Sequence, residues 1–234
     1  MKKILLRIVI GLLIVFLLFF GLMKWMNMRN FQLMGDLTSR VETNEKAVAL
    51  TFDDGPTENV DKILPLLDQY NAQATFFLIG GDMADHPEEA KKKIAKAGHQ
   101  IGNHTYSHER MVFKTPSFVK EELEKTDELI RQAGFEDEID FRPPFGKKLV
   151  VLPYYLKQQG TDTIMWDLEP DTYYTTVDEK VDYIVNNIKP GSIILIHPMY
   201  DQTGMQLQVI EETLQQLTDE GYRFVTVNEL QKLE

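Results

Sequence analysis

Two adjacent carboxylates, Asp53 and Asp54, end an apolar run in "ALTFDDGPT", and His104 and His108 stand four apart in "GHQIGNHTYSH". Neither pattern compels a function alone. Asp, Gly and Pro are ordinary turn formers after a strand, and surface segments often carry His-x-x-x-His pairs without a metal. Together they can do more. If the histidine segment turns as one helical turn or a tight loop, both imidazoles can face one cation, and a carboxylate completes a His-His-Asp set with open positions for water. The second aspartate is then free to handle a proton.

Two further stretches bear on that chemistry. "FRPPFG" places Arg142 before two prolines that fix the backbone, followed by Phe145 and Gly146. It reads either as a rigid loop with a surface arginine or as a guanidinium that keeps Asp53 ionised and oriented. A backbone N–H after the prolines could also point at an oxyanion. "SIILIHP" ends at His197, which either caps buried carbonyls or, if this strand opens on the same face as Asp53, stands as a general acid opposite the base. His86 and His99 lack such a context and read as structural or solvated.

The surrounding pattern must bring these residues together. "AVALTF", "ATFFLIG", "HQIGNH", "IDFRPPFG", "TDTIMW", "GSIILIH" and "RFVTV" read as strands. Between them lie amphipathic helices: "VDKILPLLDQY", "PEEAKKKIAKAG" opened by proline and closed by glycine, "SFVKEELEKTDELIRQAG", a helix near Tyr154, "VDEKVDYIVNNI" and "MQLQVIEETLQQLTDEG". Strand–helix alternation argues for a mostly parallel sheet, either open or closed into a barrel, with catalytic groups at strand ends.

The first residues are written differently. Ile4 to Met23 are apolar except for Arg7, enough as a helix to span ~30 Å of hydrocarbon. The run is long and lacks a following A-x-A site, which favours a retained anchor over a cleaved signal peptide. The expected organisation is an anchor over 1–23, a short polar stalk over 24–45 and one catalytic domain over 46–234. Trp25 falls at an interfacial position, and the basic residues on either side favour a cytoplasmic N-terminus only slightly. Residues 1–40 carry net +5 of a total of −11, leaving −16 on the remainder, a poor surface for nucleic acid. The absence of cysteine excludes disulfides, thiolate metal sites and a thiol nucleophile.

In order and separation, "TFDDGP", "HTYSH", "RPPFG" and "ILIH" closely resemble the polysaccharide deacetylase family, the carbohydrate esterase group that includes chitin, peptidoglycan and nodulation-factor deacetylases. The resemblance spans roughly residues 45 to 230. It implies a distorted (β/α) barrel, with Asp54, His104 and His108 as ligands of a divalent metal and Asp53 as base. The implied metal is zinc, with cobalt, nickel or iron as alternatives. It also implies that Arg142 holds Asp53, that the Phe145 N–H helps an oxyanion, that His197 is the acid, and that Leu195 lines a pocket for the acetyl methyl group.

The chain departs from the family's fourth motif. An Asp-Trp pair expected a few residues after the "W…P" run aligns here with Thr172 and Tyr173 in "MWDLEPDTYY". Asp171 or Glu169 could tune the acid by a local shift, and Tyr173 could replace the indole as a pocket wall.

The implied reaction removes N-acetyl groups from a cell-envelope glycan, with peptidoglycan N-acetylglucosamine first, by an extracytoplasmic domain on a single-pass anchor. The rival readings are an O-deacetylase on a polymer such as acetylated xylan, a weak glycan-binding pseudoenzyme, and a scaffold whose N-terminal helix binds a membrane partner. The Asp53, Arg142 and His197 set weighs against the last two, because binding alone needs no base and acid.

Overall fold

The computed structural model describes residues 2–86 and 88–234. Helix α1 (Lys2–Met26) precedes β1 (Leu37–Thr38), β2 (Ala47–Asp53), α2 (Val60–Gln69), β3 (Ala74–Leu78), α3 (Gly80–Asp85), α4 (Glu88–Lys96) and β4 (Gln100–Asn103). Then follow α5 (Pro116–Gln132), a 3-10 turn at Pro144–Gly146, α6 (Val151–Gln159), β5 (Thr163–Ile164), α7 (Val177–Asn187), β6 (Ile193–Ile196), α8 (Met205–Asp219), β7 (Arg223–Phe224) and α9 (Val227–Gln231). Pro87, read as the opener of α4, lies outside the described residues.

The strand β2 is central, pairing in parallel with β3, β6 and β7, while β4 extends the sheet beyond β3. Single-residue bridges continue the circuit from Asn103 to Phe141, from Phe141 to Thr163, and from Leu168 to Ile194 on β6. The sheet is thus bent round into the distorted barrel that the sequence resemblance implies. All seven residues of β2 are buried, as a parallel strand covered on both faces requires.

Two-residue alternation divides the strands' side chains between two cores. Val48, Leu50, Phe52, Phe76, Ile194 and Ile196 pack outward under the helices. Ala47, Ala49, Phe77, Ile193 and Leu195 face inward with Ile164, Met165 and Trp166. Asp53 is even in step with Ala47, Ala49 and Thr51, so the pleat delivers it to the interior at the strand's carboxyl end.

Helix α1 is long and apolar enough to cross a membrane, and none of its apolar window is buried within the protein. Residues 24–45, expected as a stalk, instead lie partly on the domain. Leu37 and Thr38 pair with Thr163 and Ile164, Val41 N–H donates to Gly191 O at 2.9 Å, and Met26 is buried. Gly191 permits this approach, since a Cβ there would lie 1.8 Å from the Val41 carbonyl oxygen. The Lys148 N–H donates to Met26 O, and the Lys148 ammonium donates to Met28 O. Lys148 is only 2% exposed, and burial pushes its pKa down to about 8.

A fragment starting at residue 41 removes that carbonyl and leaves the ammonium short of an acceptor, costing about 1–3 kcal/mol. Its melting temperature is expected to fall by about 4 °C or more relative to a fragment starting at residue 24, measured by calorimetry. Equal melting temperatures would show that residues 24–40 are mere tether.

The expected strand "RFVTV" is also shorter than its β-branched composition suggests. Only Arg223 and Phe224 pair, and Thr226 instead caps α9 in a reciprocal capping box with Glu229.

Candidate active site

Arg142 occupies the interior of the barrel with no exposure. Its guanidinium donates to Asp53 Oδ1 and Thr51 Oγ1, each at 2.7 Å, and to the carbonyls of Ile164 and Met165 at 3.2 and 3.1 Å. It also lies 4.0 Å from the centroid of Phe77. A buried charge so fully partnered is a fixed strut, not the surface arginine of the bland reading. Burial opposes the ionisation of Asp53, but Arg142, with His104 and His197, outweighs it and holds the carboxyl below its usual pKa.

The backbone turns sharply after Asp53. Asp54 has φ of +76°, in the left-handed region that aspartate tolerates better than most residues, and this aims its side chain at the histidine loop. That loop is a tight turn rather than a helix. Asn103 Oδ1 accepts from Thr105 N–H at 2.8 Å, and buried Glu122 accepts from the N–H groups of Tyr106 and Ser107 at 3.0 and 2.8 Å. Thr105 and His108 both take positive φ, which brings the two imidazoles to 5.0 Å between centroids.

One ligand atom each from Asp54, His104 and His108 lies within 4.8 Å of the others. His104 Nδ1 donates to the Arg142 carbonyl at 2.7 Å, which leaves Nε2 bare and facing Asp54 at 3.8 Å and Asp53 at 3.6 Å. Burial outweighs these carboxylates and lowers the His104 pKa, so the ring is neutral and presents a lone pair to them. Asp54 Oδ1 is itself buried without a hydrogen-bond partner. Lone pairs converging in this way are mutually repulsive unless a cation lies among them, so the donor set fits a divalent metal.

Across the pocket, His197 follows β6 directly. Asp171 Oδ2 lies 3.1 Å from both its Nδ1 and its backbone N, while Lys180 and Gln206 donate to Asp171 Oδ1 at 2.7 and 2.9 Å. Burial favours neutral imidazole, but the Asp171 bond and the charges of Asp53 and Asp54 push the His197 pKa up to about 9. Burial also opposes the charge on Asp171, yet its bonds to His197, Lys180 and Gln206 hold it well below the carboxylate range.

Of the two candidates near His197, only Asp171 reaches the ring. Glu169 is turned away, accepting from Arg29 at 3.2 Å and from the Thr172 hydroxyl at 2.7 Å. Tyr173 does not form the pocket wall expected of it. It is 62% exposed and lies beside Tyr174 and Tyr183, because the tight turn after Pro170 swings it outward.

The pocket holds about 440 Å³ and is lined by Asp53, Asp54, His104, His108, Phe145, Leu195 and His197, together with Trp166, Glu169, Thr172, Arg29, Arg110 and Lys147. A larger depression of about 740 Å³ opens at the other end of the barrel, around His99 and Gln100, without an acid–base set. His99 is a satisfied core residue there, its Nδ1 accepting from Ala74 N–H.

Phe145 adopts φ of +58°, and among the described residues no acceptor faces its N–H. Its ring lies 4.8 Å from His108 and 5.0 Å from the Arg110 guanidinium. Burial and the nearby Arg110 charge both lower the pKa of Lys147. Arg29 stacks 4.9 Å from Trp166. Sequence reasoning missed Arg29, Arg110, Trp166, Lys147 and Lys180, whose placement depends on contacts distant in sequence; the one usable signal was the Trp166 of the "W…P" run.

An arginine-held carboxylate, an aspartate-linked histidine and a cation-binding triad around one pocket are the parts of a hydrolytic centre. The family model described as polysaccharide deacetylase matches residues 40–164, and the chain belongs to that family. A peptidoglycan-N-acetylglucosamine deacetylase of Bacillus cereus is 35% identical over 84% of this chain and 93% of its own length. A peptidoglycan-N-acetylmuramic acid deacetylase of Bacillus subtilis is 31% identical over 82% of this chain but only 40% of its own length. A crystal structure of a peptidoglycan N-acetylglucosamine deacetylase superposes with a TM-score of 0.79 at 30% identity, covering 85% of this chain and 94% of that one.

Proposed function

We propose that this protein hydrolyses N-acetyl groups of peptidoglycan, N-acetylglucosamine first, from the outer face of a membrane in which α1 is a single-pass anchor. The observation that carries the reading is the buried Asp53–Arg142 pair, 2.7 Å apart, facing His197 across the Asp54, His104 and His108 cluster. The relatives named above supply the substrate class.

A divalent ion, zinc in the first instance, would be held by Asp54, His104 and His108, where it supplies Lewis acidity toward the acetyl carbonyl and makes water more acidic. Asp53, kept ionised by Arg142, takes the proton from the attacking water. The Phe145 N–H, which meets no acceptor among the described residues, donates to the oxygen that gains charge as the carbonyl carbon becomes tetrahedral. His197, with Nδ1 committed to Asp171, presents Nε2 to the amide nitrogen and protonates it as the C–N bond breaks, because an amide anion leaves poorly. Acetate and a free amino sugar result. Leu195 and Trp166 supply apolar wall for the methyl group.

The test is acetate release by the full-length protein in detergent from purified peptidoglycan, N-acetylglucosamine oligomers and acetylated xylan. Dialysis against a chelator is expected to lower the rate at least ~100-fold, with recovery on adding Zn²⁺. One bound metal but no acetate from any of the three polymers would refute the deacetylase reading.

A further inference from the structure

The rim of the pocket is charged oppositely to the protein around it. Residues 41–234 carry net −16, yet Arg29, Arg110 and Lys147 all line the one pocket that holds the acid–base set. No carboxylate of that pocket is paired with Arg110 or Lys147: Asp53 is bound by Arg142, Asp54 faces the two histidines, and Glu169 accepts from Arg29. Glu109, next to Arg110 in sequence, is taken by Lys114.

Arg110 and Lys147 therefore remain without a carboxylate among the described residues. Arg110 lies over the exposed Phe145 ring, and Lys147 donates only to the neutral Asn27 side chain. Two like charges set together at the mouth of a cleft are unfavourable for the free protein, and such fields commonly concentrate an oppositely charged ligand. Phe145 fixes Arg110 from below, so the guanidinium is held at the rim rather than swinging through solvent.

We propose that Arg110 and Lys147 form a carboxylate subsite at the pocket mouth, selecting a glycan that carries carboxylates beside its acetylated sugar over a neutral N-acetylglucosamine homopolymer. This rests on the deacetylase reading for the identity of the glycan, but the charge argument is independent of the reaction. Muramyl lactyl groups that bear no peptide, and the free side-chain and terminal carboxyls of the peptides where one is attached, are carboxylates of this class. The subsite contributes to binding, and Arg29, already engaged with Glu169 and Trp166, forms its back wall.

The experiment compares soluble peptidoglycan strands with the same strands after their carboxylates are converted to methylamides, using the full-length metal-loaded protein. The wild type is expected to show a kcat/KM about five to ten times higher on the carboxylated strands, a ratio that shrinks as salt rises. In Arg110→Gln/Lys147→Gln the ratio is expected to fall toward one through a raised KM. Binding to Asp53→Asn, measured by calorimetry on both strand preparations, reads the same preference without turnover. Equal binding and equal kcat/KM on both preparations, or a ratio unchanged in the double variant, would overturn the subsite. Absence of acetate from every strand would instead count against the deacetylase reading, with calorimetry still deciding the subsite.

Discussion

Asp53→Asn is expected to lower acetate release by about 10³-fold while leaving the metal stoichiometry at one. The amide cannot take a proton from water, and Asp54, His104 and His108 are untouched by the change. Arg142 loses its anionic partner at a position with no exposure, although Thr51, Ile164 and Met165 still accept from it. Removing one member of such a pair costs about 3–5 kcal/mol, so a lower melting temperature should accompany the lost rate. Assays well below that temperature, with metal content measured on the same sample, separate the two effects. A folded, metal-loaded Asp53→Asn protein with a rate near wild type would remove Asp53 from the role of base.

The same pair shows how far the sequence could be read. The position of "DDGP" at a strand end put both aspartates where an apolar run surfaces, and "HTYSH" could turn both imidazoles to one cation by a tight turn or one helical turn. Which aspartate serves the metal came from the family resemblance, and the pleat of β2 accounts for it by turning Asp53 inward. These are local patterns, and local patterns are legible. The long-range choices were not. Nothing near Lys180 in "VDEKVDY" reveals that its ammonium reaches Asp171, and nothing in "KWMNMRNFQ" reveals that Arg29 stacks on Trp166.

Each of these depends on how a loop returns to the barrel. That is why Asp171 and Glu169 were equivalent on paper and Tyr173 was expected inward. The turn after Pro170 decides all three at once, sending Asp171 to His197 and Tyr173 outward. The end of the chain illustrates a different failure. "TVNE" carried a capping-box signal, but the β-branched run before it read as a continuing strand.

Asp171→Asn is the sharpest test of that turn. His197 must be protonated to act as the acid, and its ordinary pKa of 6.5 is raised to about 9, so the acid form persists through neutral pH and is lost as pH rises through that value. The pair's contribution to stability follows the same sign, being full below 6.5 and lost on passing about 9. Without the Asp171 carboxylate, burial favours the neutral ring and only the more distant Asp53 and Asp54 oppose it.

The alkaline limb of kcat is therefore expected to move down by at least ~1 unit, and the rate at pH 8 to fall at least ~2-fold, reaching ~30-fold if the ring returns to its ordinary pKa of 6.5. The substitution also strips buried Lys180 of its partner, which alone could weaken the fold. Lys180→Met separates the two effects. It removes the buried ammonium and leaves the bond to His197, so its limb should stay at the wild-type position or above while Asp171→Asn shifts. If both variants keep the wild-type limb, His197 is not the group whose protonation limits the rate, and the proton reaching the leaving nitrogen has another donor.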